Sequence, residues 1–127
     1  MSESASAKVL IVEDNPDNQQ LATWILEDEG YQVTCAESAE EGLEMMETGG
    51  YDIVLMDISL PGMDGKEATR KIRATPHLKD TPILALTAHA VQGEREDIVA
   101  SGVDGLLTKP VDEDELLSYV RNLLARN

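Results

Sequence analysis

Two regimes of apolar patterning divide this chain. The runs Val9-Leu10-Ile11-Val12, Ile53-Val54-Leu55-Met56 and Ile83-Leu84-Ala85-Leu86 are continuously apolar, as strands buried on both faces are. Short β-branched runs begin near residues 8, 31, 52, 82 and 103, and the segments between them have helical period with polar outer faces. The pattern predicts a βα unit repeated five times, with parallel strands, right-handed crossovers and helices covering both faces of one sheet. Tyr31 through Ala36 alternates instead, which predicts an edge strand.

Local signals place the helix ends. Three N-cap acceptors are each followed three residues later by Glu: Ser38 with Glu41, Asp64 with Glu67, and Asp112 with Glu115. Asn15 can cap the first helix while Pro16 occupies its first position, where a missing N–H costs nothing, and Gly30 can close it. The last helix has an inward stripe of Leu116, Leu117, Val120, Leu123 and Leu124, whereas residues 90–100 offer mainly Val91, Ile98 and Val99. Gly93 costs that fourth helix about 1 kcal/mol relative to Ala, so it is expected to be the least firmly held of the five.

A length of 127 residues predicts one domain over residues 8–127 behind a short polar tail, residues 1–7, with no room for an attached effector domain. There is no Phe, one Trp and three Tyr, so aliphatic side chains must fill the core. A formal charge of −15 argues against binding nucleic acid or an anionic membrane and favours a cation or a basic partner. Cys35 cannot form an intrachain disulfide and reads as small buried filler. The amino terminus lacks a basic segment followed by an apolar one, and no run approaches the ~18 apolar residues of a membrane span. A cytoplasmic protein is the expectation.

Chemistry enters through the ends of the predicted strands. Glu13 and Asp14 follow the first run, Asp57 the third, Thr87 the fourth and Lys109 the fifth. In an open parallel sheet these positions share one edge, where ligands bind. Crowding three carboxylates is unfavourable, since two like charges ~4 Å apart repel by ~4 kcal/mol at an effective dielectric near 20. Such a group takes up protons or binds a hard divalent cation, Mg²⁺ with Mn²⁺ as a substitute; no His pair at ligand spacing favours zinc. Taken singly, Asp14 and Asp57 could each be helix caps, Thr87 a loop hydroxyl and Lys109 a solvated charge. Their common register at the strand ends is what favours a functional cluster.

The segments Val12-Glu13-Asp14-Asn15, Leu55-Met56-Asp57-Ile58-Ser59-Leu60-Pro61-Gly62-Met63-Asp64-Gly65, Leu86-Thr87-Ala88 and Thr108-Lys109-Pro110 together resemble the response-regulator receiver domains of the CheY-like family, over residues 8–126. The resemblance implies a doubly wound α/β three-layer sandwich, flavodoxin-like, with strand order 2-1-3-4-5. It implies that Asp57 is the phosphoacceptor and that Asp14, Asp57 and the Ser59 carbonyl bind Mg²⁺, with Glu13 acting through water. Thr87 and Lys109, with Ala88, would receive the phosphoryl group, and the Lys109-Pro110 bond would be cis. The donor would be a phosphohistidine on a sensor histidine kinase or a histidine phosphotransfer protein. A downstream protein would read the face made by the fourth helix, fifth strand and fifth helix, the receiver being a monomer that can dimerise on phosphorylation.

One position departs from the family pattern. Three residues before the lysine, where Tyr or Phe is usual, stands Leu106. Any switch is therefore expected to run through Thr87 and the fourth helix, with weaker two-state coupling. Ser59 and His89 fall where they could tune dephosphorylation, although His89 also reads as an exposed loop residue, and His77 beside Pro76 reads as a plain turn residue. Trp24 lies at the margin of the Leu21 and Ile25 stripe; packing beside the last helix is the expectation, and a partner-facing anchor the alternative.

Other readings fit less well. An aspartyl-phosphate phosphatase or transferase of similar topology usually carries a second acid two residues after the nucleophile, where this chain has Ser59. A flavodoxin-like cofactor carrier lacks its phosphate loop here, Glu13 and Asp14 would repel a phosphate, and no nucleotide P-loop occurs. A receiver excised from a hybrid kinase or longer regulator remains an alternative, although an end at Asn127 directly after a complete helix suits a free-standing protein.

Overall fold

The computed structural model describes residues 7–88 and 92–125. Five strands, β1 (Lys8–Val12), β2 (Gln32–Ala36), β3 (Ile53–Asp57), β4 (Ile83–Thr87) and β5 (Gly105–Thr108), alternate with five helices, α1 (Pro16–Asp28), α2 (Ala39–Gly49), α3 (Gly65–Arg73), α4 (Gln92–Ala100) and α5 (Glu113–Ala125). All strand pairs are parallel, in the order β2-β1-β3-β4-β5. The doubly wound, CheY-like topology is the expected one, and the alternating Tyr31–Ala36 segment does supply an edge strand.

Each central strand buries both faces, and successive residues divide between two cores. Val9, Ile11, Ile53, Leu55, Leu84 and Leu86 pack with Ile25 and Leu26 of α1 and with Leu116, Leu117, Val120 and Leu123 of α5. Leu10, Val12, Val54, Met56 and Ile83 pack with Met46 of α2 and with Ala68 and Ile72 of α3. Burying one such side chain contributes about 2 kcal/mol, so these layers supply most of the drive to fold. Among the described residues a third, small cluster buries Ile58, Ala85 and Ile98, with Val103 and Leu106 against it.

The caps form where the sequence places them. Asn15, Ser38, Asp64 and Asp112 accept from the backbone N–H of Asn18, Glu41, Glu67 and Glu115 at 2.9–3.1 Å. The Glu41 carboxylate reaches back to the amide of Glu37, one residue before the cap. Gly30 closes α1 at φ 97°, a left-handed conformation that suits glycine.

Four details correct the expectations. Trp24 is 72% exposed rather than packed into a helix contact: it falls on the solvent side of the α1 stripe that buries Ala22, Ile25 and Leu26. Val99 points outward at 56% exposure, so Ile98 alone anchors α4 among its described residues; Val91 and His89 lie outside the described residues. Cys35 is half-buried rather than filling a core, because alternate residues of an edge strand meet only one helix, and its sulfur lies 3.4 Å from Thr23 Oγ1. Leu124, last of the α5 stripe, is likewise half-buried at the end of its helix. Among the described residues no helix is long and apolar enough to cross a membrane.

Candidate functional site

Parallel pairing carries β1, β3, β4 and β5 to a common end, and the polar residues that follow them meet there. Asp57 closes β3 opposite Leu86 of β4, and Thr87 pairs with Thr108 of β5. The Thr87 carbonyl accepts from the Lys109 amide at 2.7 Å, which ties the base of Lys109 to the end of β4. Glu13, Asp57 and Thr87 are buried, whereas Asp14 is exposed.

Lys109 bridges the two buried acids. Its Nζ lies 2.9 Å from Glu13 Oε1 and 3.1 Å from Asp57 Oδ2. The other Asp57 oxygen, Oδ1, accepts from the Ser59 amide at 3.0 Å. Glu13 Oε2 accepts from the Asn15 amide at 3.1 Å, and the Glu13 carbonyl accepts from the Gln19 side chain. Asn15 thus serves both the α1 cap and the acid beside it. Gln19, one helical turn into α1, gave no sign in the sequence of reaching back to the strand end.

Carboxylate oxygens of Glu13, Asp14 and Asp57 lie within 4.8 Å of one another. Against them stands one ammonium, so two formal negative charges remain uncompensated within the cluster. Burial pushes the Glu13 carboxyl above its usual range; Lys109 and the Asn15 amide pull it down without prevailing, and the Asp57 charge pushes it further up. Burial alone would lower the Lys109 ammonium, but hydrogen bonds and charge from Glu13 and Asp57 outweigh it, and its pKa lies above the ordinary lysine value. An oxygen-rich, over-negative cluster with an exposed member suits a hard divalent cation.

Around the carboxylates, Ala88 and Ser59 are exposed at the rim and the Lys109-Pro110 peptide is cis. Leu106 is half-buried against Ile58, Ala85 and Ile98, so an aliphatic side chain fills that part of the α4 contact. Ile58, adjacent to Asp57, reaches that contact too, which the sequence reading did not single out. A groove of about 710 Å³ runs along α1 past Leu21, Thr23, Trp24 and Cys35, but none of Glu13, Asp14, Asp57 or Lys109 lines it. The groove and the charged cluster are separate features of the surface.

The model of the response regulator receiver domain matches residues 9–121. The chain belongs to the response regulator receiver family. It is 41% identical to the sensor protein GacS of Pseudomonas syringae pv. syringae over 120 residues, which are 92% of this chain and 13% of that protein. It therefore spans about an eighth of the sensor kinases it matches. A 14.6 kDa protein of Leptolyngbya boryana is 38% identical, with 95% of this chain and 92% of that one covered. Among solved structures, the receiver domain of a Pseudomonas aeruginosa sensor histidine kinase, described with magnesium coordinated in its active-site cleft, matches at TM-score 0.89 and 38% identity, covering 94% of this chain and 98% of that one. A chemotaxis response regulator of Vibrio cholerae matches at TM-score 0.87 and 31% identity, covering 93% and 98%. This receiver is a signalling module of the kind found in histidine kinases and response regulators, and not a metabolic enzyme.

Proposed function

We propose that this receiver accepts a phosphoryl group on Asp57 from a phosphohistidine of a sensor histidine kinase or histidine phosphotransfer protein, and that the modification alters its surface for a downstream protein. The observation that carries the reading is Lys109 held between Glu13 and Asp57 while Asp14 adds a further, unbalanced carboxylate. In the transfer, a carboxylate oxygen of Asp57 forms the new O–P bond as the N–P bond to the donor imidazole breaks, and the imidazole leaves with the bonding pair and takes up a proton.

Asp14, Asp57 and the Ser59 carbonyl would hold Mg²⁺, or Mn²⁺, with Glu13 acting through water. The cation supplies charge neutralisation for the incoming phosphoryl oxygens. This chain's residues do the rest. Ser59 N–H fixes one oxygen of Asp57, Asn15 N–H fixes Glu13, and Lys109, whose ammonium already reaches Asp57, receives a phosphoryl oxygen as a point charge. Thr87 offers a hydroxyl to another oxygen, next to the rim residue Ala88. Ser59 and His89 would set how readily water reaches the acyl phosphate.

Output is assigned to the face of α4, β5 and α5. Ile58 follows Asp57 in the chain and touches the cluster that holds Ile98 of α4, which gives strain at Asp57 a direct packing route to α4. With Leu106 in place of an aromatic ring, this route and Thr87 carry the switch. Incubation with phosphoimidazole and Mg²⁺ followed by intact mass tests the acceptor chemistry: one phosphoryl group gained supports it, and an unchanged mass refutes it.

A further inference from the structure

Gly65 opens α3 directly against the backbone of Asp57. Its φ is not positive; the glycines that are left-handed are Gly30, Gly50, Gly62 and Gly102. The need at residue 65 is therefore for space and not for an unusual backbone conformation. A Cβ on Gly65 would lie 2.3 Å from the Asp57 carbonyl oxygen, 2.9 Å from Ile58 Cα and 3.0 Å from the Asp57 carbonyl carbon. All three are backbone atoms, so no flexible side chain can yield.

Two hydrogen bonds hold this close approach. The Gly65 amide donates to the Ile58 carbonyl at 3.2 Å, and the fully buried Thr69 donates its hydroxyl to the Gly65 carbonyl at 2.8 Å. The Asp64 cap on the Glu67 amide fixes the same turn. On its other side the Ile58 amide donates to the Leu86 carbonyl at 2.9 Å. The Asp57-Ile58 peptide is thus gripped between β4 and the first turn of α3.

We infer that Gly65 is a positioning residue for phosphoryl acceptance: the bare first turn of α3 sets where the Asp57 backbone sits and so aims its carboxylate at Lys109. The inference rests on Asp57 being the acceptor. Restoring an ordinary contact beyond 3.4 Å requires a shift of roughly 1 Å in the Asp57 carbonyl or in α3, and a misplacement of that size at a reacting group costs up to about 10²-fold in rate.

The test compares Gly65→Ala with the parent protein. Acyl-phosphate formation from acetyl phosphate at saturating Mg²⁺ is followed by intact mass, and the amide resonances of Ile58 and Ser59 by NMR. Gly65→Ala is expected to remain folded, to move both resonances and to slow phosphorylation about 10- to 100-fold at saturating donor. A folded Gly65→Ala protein phosphorylated at the parent rate overturns the inference. If that variant does not fold, Thr69→Val decides, since it removes only the hydroxyl that seats the Gly65 carbonyl: a rate several-fold below the parent's with an unchanged melting temperature supports the inference, and a parental rate overturns it. A parent that takes up no phosphoryl group refutes the acceptor reading, and the inference with it.

Discussion

The two ends of the sheet carry polar clusters built on opposite principles. At the amino-terminal end, Arg73 at the end of α3 donates to the carbonyls of Gly102, Lys79 and Thr81 and to the Asp104 carboxylate, at 2.7–2.8 Å. The same Asp104 oxygen accepts from the Ile83 amide at the start of β4. One cation meets one anion, and the remaining donors meet backbone acceptors. At the carboxyl-terminal end one cation faces three carboxylates. A balanced cluster ties loops together, whereas an unbalanced one is held by the fold against its own repulsion and would be relieved by a bound cation. Charge balance, more than the presence of charge, separates the structural end from the chemical one.

The largest expected contrast is between the two cations. Lys109→Ala should slow phosphorylation of the folded protein about a hundredfold, in the range of losing one preorganised donor to developing charge. Arg73→Ala should leave that rate within about twofold and lower stability by about 1–3 kcal/mol, the scale of lost hydrogen bonds to a partly exposed charged group. Rates by intact mass and urea midpoints read both, and an Arg73→Ala protein as slow as Lys109→Ala would erase the distinction.

Neutralising an acid should have opposite effects at the two ends. Asp104→Asn weakens a balanced pair and lowers the urea midpoint. Glu13→Gln, measured without divalent cation at neutral pH, raises it, because burial penalises the charged carboxylate by more than Lys109 and the Asn15 amide recover. The same comparison gives a pH dependence. With the folded Glu13 carboxyl above its ordinary 4.5, the folded state holds more protons than the unfolded one as pH rises from there through the folded value. Stability contributed by this group therefore falls across that window, and in Glu13→Gln the fall should shrink. Lys109, raised above 10.5, stabilises fully below that pH and loses its contribution as pH rises through its folded value. Smallest of all, Trp24→Ala should change stability by no more than about 0.5 kcal/mol, since the ring is 72% exposed.

Much of this was legible in the residues. Continuous apolar runs fixed the central strands because a strand covered on both faces leaves no polar alternation, and cap residues placed four helix starts. Convergence of Glu13, Asp14, Asp57, Thr87 and Lys109 followed from parallel strands alone. The outward faces were harder to read. Trp24 and Val99 are apolar side chains on the solvent side, and hydrophobicity does not reveal which side of a short helix meets the sheet when the stripe is as weak as that of α4. Backbone proximity was not legible either. Gly65 stands in a recognisable motif, but its contact with the Asp57 carbonyl depends on how closely α3 returns to β3. Arg73 likewise showed only a charge, because it is held by the backbone carbonyls of Lys79, Thr81 and Gly102, which carry no side-chain signal, and by Asp104, 31 residues away.

The most direct test of a site defined by excess negative charge at the carboxyl end of the sheet is phosphorylation by acetyl phosphate with and without Mg²⁺, with peptide mapping of the product. One phosphoryl group is expected on Asp57, gained with Mg²⁺, lost when the cation is chelated and absent from Asp57→Ala. Mg²⁺-independent modification, or a phosphoryl group retained in Asp57→Ala, would contradict it.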